Sequence, residues 1–184
     1  LTNTSMGARK LRSWIECPLL DLGKIYERQD AVAELLDNTT LREAVVERLK
    51  AIYDLERIVS RLEVGSANAR DLVSLRTSLA VLPEVKAVLA NCKSRKLQKI
   101  YNNLHVHEDI YSALDAAIVD EPPFSVREGG MIKTGYNAEL DELHLIAKDN
   151  KTWMQNFEQK IKEETSIKTM KVGFNKVFGY YIEV

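Results

Sequence analysis

Nucleotide hydrolysis needs backbone amides grouped around phosphate and a lysine for its charge. The sequence offers neither, since GxxxxGK followed by Ser or Thr does not occur and Gly129-Gly130 is the only glycine pair. His105, His107 and Glu108 are nominal metal ligands, but alternate positions on a helix do not face one another and no further ligand set joins them. They read as surface residues. Cys17 and Cys92 stand far apart with no CxxC pair, which supports neither a zinc knuckle nor a disulfide framework and points to a reducing, cytosolic compartment. With three histidines and scattered carboxylates in no nucleophile–base pattern, the sequence predicts no catalysis, no cofactor and no metal in this segment.

Polyanion binding is the remaining chemistry, and it rests on three basic clusters: Arg9/Lys10/Arg12, Lys93/Arg95/Lys96/Lys99 and Lys168/Lys171/Lys176. Residues 100–126 hold no Lys or Arg and carry Glu108, Asp109, Asp115, Asp120 and Glu121, a stretch hostile to phosphate. A lysine on a helix is most often part of a solvated face. Lys171 and Lys176 stand out because they flank a predicted narrow hairpin, which buries little and holds them in solvent where a nucleic-acid backbone can approach. Tyr180 and Tyr181 follow, but adjacent strand residues point to opposite faces, so at most one can stack on a base. Trp14 and Trp153 fall within apolar helical patterns and read as core anchors.

The elements that must position these residues are mainly helical. Of 184 residues, 45% are apolar, enough to close a core, and 8 glycines with 4 prolines are too few for a chain that turns every ten residues. Net charge is −1, which excludes a histone-like polycation, and no apolar run approaches the ~18 residues of a membrane span. Thr4 or Ser5 caps a first helix that Pro18 ends. A second runs from about Asp21 to Asn38 on the stripe Ile25, Val32, Leu35 and Leu36, and Thr40 with Glu43 forms a capping box for a third. Helices at 55–62 and through Leu72, Leu75, Leu79 and Leu82 follow, with Pro83 as punctuation, then further ones near 84–91, 95–104 and 107–119. Residues 120–135 carry Pro122-Pro123 and Gly129-Gly130 and form an irregular excursion that separates two halves.

Beyond it, Tyr136, Leu140, Leu143, Ala147, Asn150, Met154, Phe157 and Ile161 step alternately by four and three, a heptad seam. One continuous helix over it has about 30 residues and a length of about 45 Å. Asn150 on this seam fixes register between helices. At Thr169 the period becomes 2, with Met170, Val172 and Phe174 against Lys171, Gly173 and Asn175, and residues 175–179 can turn the chain into a second strand at 180–184. Two strands alone are marginal in water, so the chain reads as entering a larger sheet.

With these residues in view, the chain resembles the MutS family of DNA mismatch repair proteins along its whole length. The resemblance is carried by TSMGARKLRSWI at 4–15 with Pro18-Leu19, RQDAV at 28–32, DLERI at 54–58 with Arg61, and RDL at 70–72 with Leu82-Pro83. REGGMI at 127–132, GYNAELDEL at 135–143 and KVGFNKVFGYYI at 171–182 continue it in order. It implies a mainly α fold: a multi-helix core or lever domain over 1–167, with a long C-terminal helical arm, and the start of a β clamp at 168–184 as a partial hairpin. It further implies a dimeric clamp on mismatched double-stranded DNA, long levers joining the clamp to an ATPase head that uses ATP and Mg, and a MutL-type partner. The family's Phe-x-Glu wedge and Walker site have no counterpart in this sequence, so a fragment without its own nucleotide site is expected. Lys171, Asn175 and Lys176 are the residues expected on DNA phosphates, in a cytoplasmic protein with no membrane association. Two other readings stay open: a helical interaction scaffold that never touches DNA, and an unrelated helical enzyme.

Overall fold

The structure is a computed structural model that describes residues 2–148, 150–167, 169–175 and 179–184, the side chains at 148, 150 and 151 excepted. The chain packs as two compact units, Leu1–Lys133 and Thr134–Val184.

In the first unit seven helices follow one another: α1 (Ser5–Glu16), α2 (Leu22–Asp37), α3 (Thr39–Leu49), α4 (Leu55–Glu63), α5 (Ala69–Leu89), α6 (Arg95–Asn103) and α7 (Glu108–Ala117). Their starts are set by short polar side chains that accept the first unpaired backbone amides. Thr4 Oγ1 takes the Gly7 amide at 3.0 Å, Asp21 takes that of Lys24 at 3.2 Å, and Asn68 and Asp71 form a reciprocal box at the head of α5. Ala31 of α2, Val85 and Leu89 of α5, Cys92, and Leu97 of α6 form the buried core, against which Leu35, Leu41, Val45, Ile52 and Tyr101 pack. Burial pushes the Cys92 thiol up, which keeps it protonated and inert.

Two sequence expectations fail here for physical reasons. The capping box of Thr40 with Glu43 does not form: α3 starts two residues earlier than Thr40 would allow, because Asn38 Oδ1 already holds the Leu41 amide at 2.9 Å. Pro83 does not end a helix. It lies inside α5, which absorbs the separate helix expected over 84–91. An interior proline removes one amide and crowds the carbonyl four residues back, at about 3 kcal/mol. Leu79, Leu82, Val85 and Leu89 are all buried along one stripe spanning it, and each such side chain contributes roughly 1.5–3 kcal/mol, so burial wins.

Arg76 and Ser78 are the buried polar residues of this unit, and both are satisfied. The Ser78 hydroxyl donates to the Ser74 carbonyl at 2.8 Å and accepts the Tyr53 amide at 2.9 Å, tying α5 to the segment between α3 and α4. The Arg76 guanidinium donates to the Ile118 carbonyl at 3.0 Å and to Asp120 at 2.6 Å, with Asp115 at 3.5 Å. The acidic stretch therefore has a structural use: two of its five carboxylates hold α5 to the end of α7. The excursion after α7 is a 3-10 turn at Val126–Glu128 closed by an isolated bridge between Ile118 and Ile132. Gly129 and Gly130 both take φ of 69° there, which other residues adopt only under strain.

The second unit contains α8 (Ala138–Lys148), α9 (Asn150–Thr165) and an antiparallel hairpin of β1 (Lys171–Asn175) and β2 (Gly179–Glu183). Asn137 caps α8 by accepting the Leu140 amide at 2.9 Å, so Tyr136, where the seam was expected to begin, lies ahead of the helix. Seam residues Leu140, Leu143 and Ala147 lie on α8, and Met154, Phe157 and Ile161 on α9. The junction at Asp149 and the side chain of Asn150 lie outside the described residues, and with them the expected continuity and register of the arm. The Trp153 and Phe157 rings stack with centroids 4.9 Å apart. After α9, Ser166 takes a left-handed φ of 58° and Met170 is buried, turning the chain back into β1.

Candidate nucleic-acid interface

The three basic clusters differ in how far their charges are already matched. In the first, Arg9 of α1 forms a two-pronged pair with Asp54 at 2.8 and 2.6 Å and also binds Glu56, while Arg12 pairs with Glu16 at 2.7 Å. The hydrogen bond from Arg9 holds the Asp54 carboxyl below its usual range. This cluster joins α1 to the head of α4.

In the second cluster, Glu27 of α2 accepts from Lys99 at 3.1 Å and lies 3.2 Å from Arg95, and the Lys99 hydrogen bond pulls its carboxyl below the ordinary range. Arg28 beside it stacks over the Trp14 ring at 3.8 Å. Trp14 is thus a half-buried platform for an arginine. At the turn into α6, the Glu34 carboxylate accepts the backbone amides of Lys93 at 2.6 Å and Ser94 at 2.7 Å. Desolvation alone would raise the Glu34 carboxyl, but these amides outweigh it and the net displacement is downward. In this densest cluster Arg95 and Lys99 are thus paired through Glu27, while the side chains of Lys93 and Lys96 have no ion-pair partner within 4 Å among the described residues.

The third cluster lies on the hairpin. Lys171 opens β1 with its side chain exposed, and among the described residues it has no ion-pair partner within 4 Å; its opposed residue across the ladder is Glu183. Asn175 closes β1, exposed and opposite Gly179. Four residues apart on one strand, Lys171 and Asn175 share a face, separated by about 13 Å at ~3.3 Å per residue. Lys176 and Lys168 lie outside the described residues.

Tyr180 and Tyr181 divide between the two faces as strand geometry requires. Tyr180 meets the Phe174 ring at 4.9 Å on one face, and Tyr181 lies over Gly173 on the other. Val172, Tyr180, Tyr181 and Ile182 line an apolar groove together with Trp153 and Phe157 of α9. One residue in this region escaped sequence reasoning. Glu158 of α9 accepts the Val172 amide at 3.1 Å and pairs with Lys162, and Lys162 first, then that amide, hold its carboxyl below the usual range. The Glu-x-x-x-Lys spacing was a visible signal of the pair, but nothing local announced the strand amide.

Elsewhere, His105 and His107 are exposed with ring centroids 6.1 Å apart, and no group of three metal-ligating side chains occurs among the described residues. No described helix is long and apolar enough to cross a membrane.

A family model described as MutS domain III matches residues 1–172. The chain belongs to the MutS family. It is 49% identical over 183 residues to the DNA mismatch repair proteins MutS of Desulforamulus reducens, Listeria monocytogenes serotype 4a and Acetivibrio thermocellus. Each of these matches takes in 100% of this chain and 21% of the relative, so the chain spans about a fifth of the length of the MutS proteins it matches. The order of motifs along the sequence and the helical fold ending in a hairpin agree with this membership.

Proposed function

We propose that this domain III serves as the lever and core of a mismatch repair protein, and that its hairpin begins a clamp that grips the DNA backbone. In this reading 1–167 form the lever and 168–184 open the clamp. The complete protein is a cytoplasmic homodimer that acts on mismatched duplexes, draws on ATP and Mg at a nucleotide site outside this segment, and engages a MutL-type partner. Lys171, Asn175 and Lys176 supply phosphate contacts, which give affinity without sequence preference and position the duplex while the mismatch is read elsewhere.

The observation that carries this reading is that Lys171 stands exposed on the hairpin with no carboxylate within salt-bridge reach among the described residues, whereas Arg9, Arg95 and Lys99 are paired and the unpaired Lys10, Lys93 and Lys96 lie on or beside helices. The test is the salt dependence of duplex binding by the full-length protein. Each lost phosphate contact lowers the slope of log K against log salt by about 0.9. Replacing Lys171, Asn175 and Lys176 together by Ala should weaken binding and flatten that slope by nearly two; an unchanged slope overturns the contact. Glu183 opposite Lys171 favours the competing reading, a scaffold whose hairpin lysine confers only solubility, and the same unchanged slope would support it. The lever role is tested by Ala147→Pro in the full-length protein, which breaks α8 near its end. ATP-dependent clamp closure should fall sharply, and unaltered closure would refute the lever.

A further inference from the structure

We propose that Glu158 is the positioning residue that locks the hairpin onto α9, so that movement of the helix is delivered to the strand carrying Lys171. This rests on the clamp reading above and extends it from which residues touch DNA to what holds them in place.

The two carboxylate oxygens of Glu158 have separate tasks. Oε1 faces Lys162 one turn further along α9, and Oε2 accepts the backbone amide of Val172 at 3.1 Å. In an antiparallel ladder alternate amides of a strand face away from its partner. The Val172 amide is one of these outward groups on β1, so the carboxylate closes the outer edge of the strand without disturbing its pairing with β2. The bond is made to backbone and therefore fixes the strand itself and not merely one of its side chains.

The remaining links between hairpin and helix are weaker in direction. Val172 and Tyr180 share an apolar groove with Met154 and Phe157, and Ser166 at positive φ turns the connecting segment. Apolar contact is non-directional and permits sliding, whereas a charge-assisted hydrogen bond sets a register. Lys171 is the residue next to Val172, so loss of the register moves the proposed phosphate contact directly.

The test uses the full-length protein with three variants. Glu158→Ala removes the acceptor, Glu158→Gln keeps an acceptor oxygen without the charge, and Lys162→Met removes only the pair. Hydrogen exchange at the Val172 amide reports the lock without any DNA. ATP-dependent closure on an end-blocked mismatched duplex reports its use. Glu158→Ala should speed exchange at Val172 tenfold or more and reduce closure at least fivefold, with helical content held within a few per cent of the wild type. Glu158→Gln should recover most of both losses, and Lys162→Met should leave the Val172 amide protected. A Val172 amide equally protected in Glu158→Ala overturns the lock. Fast exchange with normal closure overturns its role in positioning. Because the exchange readout involves no DNA, failure of the phosphate-contact reading, seen as an unchanged salt slope in the Lys171/Asn175/Lys176 variant, is separable from failure of this one.

Discussion

Tyr181 covers Gly173, its directly opposed partner in the hairpin, so closely that a β-carbon at 173 would stand 2.7 Å from the Tyr181 ring carbon Cζ. The glycine is there to admit the ring, and the ring covers the gap that a glycine leaves in a strand.

Gly173→Ala should therefore displace the tyrosine. Because the ring is the far end of an exposed side chain, it can swing out at the loss of one cross-strand contact, about 0.2–1 kcal/mol. The check is the NMR position of the residue 173 α-proton, which the ring moves upfield in the wild type and which should return towards its ordinary value in the variant.

Arg76→Ala should destabilise the first unit by about 1–3 kcal/mol, because it leaves the Ile118 carbonyl without its donor in a buried setting. Asp120→Ala should cost less than about 1 kcal/mol: its side chain is 81% exposed, and Arg76 retains Asp115 and the carbonyl. Urea unfolding of both variants gives the ordering, and the two losses become equal if the ion pair with Asp120 rather than the carbonyl bond matters most.

Glu34 should make stability fall in acid. Its carboxyl titrates below the ordinary value of 4.5 when folded, so the unfolded chain binds more protons in this range and stability rises with pH. The contribution is complete above about pH 4.5 and is lost as pH falls through the folded value. Urea midpoints measured from pH 6 down to pH 3 should decline less steeply in Glu34→Gln than in the wild type.

Pro83→Ala should stabilise the protein, by up to about 3 kcal/mol, because alanine restores the missing amide and removes the clash within α5 while the buried stripe is untouched. A thermal melt that does not rise would mean that the helix has adapted its backbone to the ring.

The first two helical starts were legible because one short polar side chain decides each. Thr4 and Asp21 do so through contacts spanning three residues. The hairpin was equally legible, since a change of hydrophobic period from 3.5 to 2 has few other solutions. Pro83 and Thr40 were misread because their local rules are worth at most about 3 kcal/mol and were overridden, one by four buried side chains and the other by a better-placed neighbour. What the sequence could not convey was pairing at a distance. Arg9 belongs to a basic cluster in the sequence, yet Asp54 and Glu56 surround it in the fold, and nothing near Glu158 in the sequence announces the Val172 amide it accepts.

Asn38 does two jobs with one residue, ending α2 through its backbone and opening α3 through its side chain. The joint between those helices accordingly has no slack. An extra residue at this point would rotate everything after it by about 100° and swing Leu41 and Val45 out of the packed interior. Variants that lengthen or shorten the chain here should therefore be poorly tolerated.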